Sequence, residues 1–88
     1  MNRQLYDDLA GLMKERLTNV FADVLGLADS PRMQMNLAVS AAAYTAHCFA
    51  ALSAEAMLSD EYFDKAVSFV LEDMKRGRTA NLKQRALQ

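Results

Sequence analysis

Residues 31–58 read PRMQMNLAVSAAAYTAHCFAALSAEAML, and no formal charge occurs from Met33 to Ala54. Ser30-Pro31 just upstream is a helix start. The serine hydroxyl accepts from a free N–H of the first turn, and proline's missing N–H has no helical partner at that position anyway. Nine of the chain's 15 alanines lie between Ala38 and Ala56, and alanine has the highest intrinsic helix preference. One helix over 31–58 is expected, about 40 Å long by the rise per residue. At roughly 100° per residue, Ala38, Ala42, Phe49 and Ala56 fall together, with Thr45 and Leu52 beside them. Asn36, Ser40, His47 and Glu55 fall opposite. The rod is apolar nearly all round, so it needs cover on more than one side.

Two kinds of cover compete. The segment is long enough to cross a bilayer. Yet Gln34, Asn36, Ser40, Thr45, His47 and Ser53 interrupt it, and neither an aromatic belt nor a basic flank borders it. The expectation is therefore a core helix with no membrane partner. Ala38, Ala42, Ala46, Ala50 and Ala54 recur every fourth residue, which lets a second helix approach to the short end of the usual 8–10 Å range.

Working outward, Leu5, Leu9, Leu12, Met13, Leu17, Val20, Phe21, Val24 and Leu25 recur at spacings of three and four. They make a wide apolar stripe on a helix over 2–26. Gly26 suits a left-handed residue that ends it. The short turn Ala28-Asp29-Ser30 implies antiparallel neighbours. Downstream, Ser59 is a cap, and Asp60 and Glu61 place negative charge on the first turn of a helix over 60–76. Phe63, Ala66, Val67, Val70, Leu71 and Met74 form its stripe. Gly77 is expected to stop it, with a short or frayed helix over 79–87 beyond.

The expected fold is therefore all-α: a small antiparallel bundle of three main helices plus a short C-terminal one, residues 1–88 forming a single domain. A chain of 88 residues has a marginal core of its own. Three wide-striped helices offer more apolar surface than one such layer hides. This predicts a homodimer, with Ala38, Ala42, Ala46, Phe49, Ala50 and Leu52 at its interface.

The net charge of −1 is unevenly divided. Residues 1–74 hold five basic side chains against all eleven acidic ones, and residues 75–88 hold five basic ones and no acid. Lone Cys48 precludes an internal disulfide, and NRQLYDDL is no secretory leader, so a reducing, cytoplasmic setting is expected.

Chemistry-bearing motifs are sparse. His47 is the single histidine. No Glu-x-x-His, His-Glu-x-x-His or paired cysteine motif occurs, and no glycine-rich phosphate loop. His47 and Cys48 point about 100° apart on one helix, so they form no dyad within a chain. Cys48 among apolar neighbours is expected to be an inert thiol. No catalytic residue, cofactor or metal is assigned.

The expectation is a non-enzymatic regulator, adaptor or inhibitor of bacterial or phage style, acting by binding a protein. Its candidate contacts are the acidic Asp60, Glu61, Asp64, Glu72 and Asp73 and the basic Lys75, Arg76, Arg78, Lys83 and Arg85. Nucleic acid is the alternative partner, held by the basic tail, with Arg78, Lys83 and Arg85 on broadly related faces if the tail is helical. A ligand-binding bundle or enzyme around His47, Tyr44 and Cys48 is the third reading.

Overall fold

The computed structural model describes residues 1–87 and contains three α-helices: α1 (Arg3–Leu25), α2 (Pro31–Glu55) and α3 (Asp60–Ala86). No strand occurs among the described residues. The all-α expectation holds.

Each helix begins on a side-chain cap. Asn2 Oδ1 accepts from the Leu5 N–H at 2.9 Å. Ser30 Oγ accepts from Met33 N–H at 3.1 Å, and Ser59 Oγ from Tyr62 N–H at 3.2 Å. Each satisfies one N–H that has no partner inside its helix.

The helix ends depart from expectation. Gly26 has φ −66° and is not left-handed. α1 closes instead by tightening, with Leu27 N–H donating to Val24 O at 3.1 Å and Ala28 N–H to Leu25 O at 3.2 Å. These three-residue bonds use carbonyls that the helix leaves free. Gln34 Nε2 also donates to Leu25 O at 3.0 Å, so an α2 side chain completes the exit from α1.

The one left-handed residue among those described is Met57, with φ 56°. α2 stops at Glu55 rather than running to Leu58. Leu58 N–H donates to Ser53 O at 3.0 Å and Met57 N–H to Ala54 O at 3.1 Å. That paired pattern is the Schellman closure, which normally places glycine where Met57 stands. A side chain there costs about 1–2 kcal/mol. Because Met57 is 88% exposed, it loses little contact when truncated. Met57→Gly is expected to raise stability by about 1 kcal/mol, read as a higher urea midpoint with an unchanged slope.

α3 runs through Gly77 without a break, so the separate helix over 79–87 does not exist. A lone glycine costs only about 1 kcal/mol against alanine. Lys75, Arg76, Ala80, Leu82, Lys83 and Arg85 around it all favour helix, and the Asn81 amide donates to Gly77 O at 2.8 Å. A Cβ at Gly77 would meet nothing within 4 Å. Gly77→Ala is therefore expected to add about 0.5–1 kcal/mol and to raise far-UV helicity. A glycine serving as the stop would make the same change destabilising.

The chain divides into two compact units, Met1–His47 and the remainder from Cys48, with α2 crossing the boundary. In the first, Leu25, Ala28, Ser30, Leu37, Ala38 and Ala41 are half-buried. In the second, Ser53, Phe63 and Ala66 are half-buried, and Phe49 stacks on Phe63 with ring centroids 5.4 Å apart. No described residue is fully buried.

Candidate interaction surfaces

The α2 face named from sequence is largely open. Ala42, Ala46, Ala50, Ala54 and Leu52 are exposed, and Ala38 is half-buried. Phe49, expected at an interface between copies, is engaged inside the chain by Phe63. α2 is long and apolar enough to cross a membrane, with a mean hydropathy of 1.4 over its best window and none of that window buried. A helix apolar nearly all round calls for cover on more than one side.

α1 has its own apolar strip. Ala10, Met13, Leu17 and Phe21, with Lys14 and Thr18, line a shallow groove along the helix. The spacings of three and four place these side chains on one face, the arrangement a partner helix fits between.

α3 carries the charge. Its N-terminal half bears Asp60, Glu61, Asp64, Glu72 and Asp73 against the single cation Lys65. Its C-terminal half bears Lys75, Arg76, Arg78, Lys83 and Arg85 with no acid. Lys65 Nζ lies 3.2 Å from Glu61, and Arg76 lies 3.6 Å from Asp73. Among the described residues, Asp60, Asp64, Glu72, Lys75, Arg78, Lys83 and Arg85 have no ion pair. Helical register separates the tail's cations. Lys75, Arg76 and Lys83 line a shallow depression with Thr79 and Ala80. Arg78 and Arg85, seven residues apart, share another side. The expected grouping of Arg78, Lys83 and Arg85 is thus corrected: Lys83 belongs with Lys75 and Arg76.

Among the described residues no group of three or more His, Cys, Asp or Glu side chains is placed to hold a metal ion. Tyr44, His47 and Cys48 are all exposed. The thiol is free and in contact with solvent, not enclosed by apolar neighbours as its sequence context suggested.

No family model matches this chain, and no match was found among the curated proteins or the solved structures compared with it.

Proposed function

We propose that the protein is a non-enzymatic regulator, adaptor or inhibitor that acts by binding another protein, and that it folds as a homodimer. The observation that carries this reading is the absence of any fully buried described residue beside long apolar stripes on three helices. Ordering a residue costs on the order of 1–2 kcal/mol, which burial must offset. Helices of 23, 25 and 27 residues draw most of their stability in proteins from packing an apolar face rather than from helix preference. The missing burial is then supplied between copies, with the open alanine row of α2 and the groove of α1 as the contact surfaces. The charged faces of α3 are left for further pairing, between copies or with another protein.

Sedimentation equilibrium at micromolar concentration is expected to give twice the 9.8 kDa chain mass. Thermal midpoints should rise with protein concentration, as mass action requires when folding and association are coupled. A well-folded monomer with a concentration-independent midpoint overturns the proposal. The same reading places the protein in the soluble fraction of lysed cells, and recovery only in detergent extracts counts against it.

A second reading has a specific observation behind it. The basic tail is helical and continuous with α3, so Lys75, Arg76 and Lys83 are held along one side, where a phosphate backbone fits. A salt-dependent gel shift lost on changing Lys75, Arg76 and Lys83 to glutamine supports nucleic-acid binding. No shift at low salt retires it.

A further inference from the structure

The sign of charge along α3 reverses at its middle. The helix spans Asp60–Ala86, its midpoint is residue 73, and the last acid is Asp73 while the first cation of the basic half is Lys75. The acidic half sums to −4, five acids against Lys65, and the basic half to +5. The helix dipole favours acids at the N-terminus and cations at the C-terminus, but that effect fades within a turn of either end. It does not account for Glu72, Asp73, Lys75, Arg76 and Arg78, which sit several turns inside. The two charge centres are about 20 Å apart along the axis, beyond the roughly 8 Å over which physiological salt lets charges sense one another. Apart from the junction, where Arg76 lies 3.6 Å from Asp73, the two halves of one α3 therefore do not neutralise each other.

We propose that α3 pairs antiparallel with α3 of a second copy, about a two-fold axis close to Met74, acidic half against basic half. This rests on the homodimeric reading above and gives it a register. A two-fold axis at the middle of a helix superposes its whole length on the partner, and it brings each half against the opposite charge. The spacing fits a helix seam: Val67, Val70, Met74, Gly77, Asn81 and Gln84 alternate by three and four, the repeat of coiled-coil positions, while Phe63, next in the same series, is taken up by Phe49 of its own chain. Val67, Val70, Met74 and Asn81 are exposed, and the side of Gly77 is open, with nothing within 4 Å of an added Cβ.

With the axis close to Met74, Val70 comes level, to within one residue, with Gly77 of the second copy, a large residue against a small one. Val67 stands opposite Asn81, whose amide already donates to Gly77 O of its own helix and so brings a satisfied donor into the seam. Asp64 and Arg85, both without an ion pair among the described residues, flank the seam and face each other twice per dimer. The occupant is a second copy and not a nucleic acid because the acidic half, equal in length, would repel phosphate along the same helix.

The test is a charge-reversal cycle on the full chain: Asp64→Lys, Arg85→Glu, and both together, with dimer dissociation constants from sedimentation. Both positions are exposed, and far-UV circular dichroism checks that helicity is kept. Each single reversal turns two attractive contacts repulsive and is expected to weaken the dimer about tenfold. The double reversal restores the pair with its signs exchanged and is expected within about threefold of the original chain, while high salt shrinks all differences. Four equal dissociation constants overturn the α3 pairing and leave the homodimer standing. A monomeric original chain removes both. If Arg85→Glu weakens binding to a DNA duplex while dimerisation is indifferent to both charges, the basic half serves nucleic acid and the pairing is wrong.

Discussion

Ala46→Arg is expected to split the protein into monomers and to cost on the order of 3–5 kcal/mol per dimer. Within one chain the change has almost nothing to act on. Ala46 is exposed, near the middle of α2 and in the row Ala38, Ala42, Ala46, Ala50, Ala54. Arginine is close to alanine in helix preference, and an exposed substitution of this kind usually stays within about 0.5 kcal/mol. The cost arises only if the alanine row lies against another helix. Two guanidinium groups then enter a close-packed seam without carboxylates to meet them, and an unpaired buried charge costs several kcal/mol. The size of the effect thus reports directly on whether α2 is covered. A loss of about 4 kcal/mol with a monomeric sedimentation profile places the row in the interface. A shift under 0.5 kcal/mol with the dimer intact leaves the row in water and moves the interface elsewhere. Ala51→Arg is the control, five positions along and about 140° round the helix from the row's centre, and also exposed.

What could be read from the sequence depended on whether the signal was local. The Ser30-Pro31 start and the Ser59 cap are decided by a hydroxyl reaching an N–H three residues on, and both form. The three-four spacing of α1 and α3 needs no more than the helix period. The ends were read less well because glycine was given too much weight. At Gly77 the cost of glycine is about 1 kcal/mol, and Lys75, Arg76, Ala80, Leu82, Lys83 and Arg85, all of good helix preference, outweigh it. At Met57 the reverse held: no glycine or proline marks the turn, yet the Schellman hydrogen bonds of Met57 and Leu58 hold a methionine in the left-handed region. Merging the tail into α3 is also what turned a list of charged residues into a helix with two opposed halves. Split into separate helices, the same residues had no common axis. The surface around Cys48 could not be read because neighbouring residue types say nothing about which element passes over a side chain.

Phe63→Ala is the second large effect expected, a loss of about 2 kcal/mol measured by urea unfolding at fixed protein concentration. A fully buried phenylalanine costs about 3–5 kcal/mol on truncation. Phe63 is half-buried and its partner Phe49 is 36% exposed, so roughly half that figure applies. The rings lie 12° from parallel with centroids 5.4 Å apart, an offset stack of the kind that contributes about 0.5–1.5 kcal/mol beyond the area covered. This contact sits across the turn at Met57, between the last part of α2 and the first turn of α3. It therefore helps to offset the strained φ of Met57, and in its absence that turn is held mainly by the Schellman bonds and the Ser59 cap. A cycle of Phe49→Ala, Phe63→Ala and the pair together separates the direct stack from loss of area, and a coupling near 1 kcal/mol is expected. Additive losses would show that each ring contributes through other neighbours. Combining Phe63→Ala with Met57→Gly adds a second discrimination. Relief of the backbone strain should recover about 1 kcal/mol whether or not the rings are present, because the φ penalty belongs to the residue and not to the contact that opposes it.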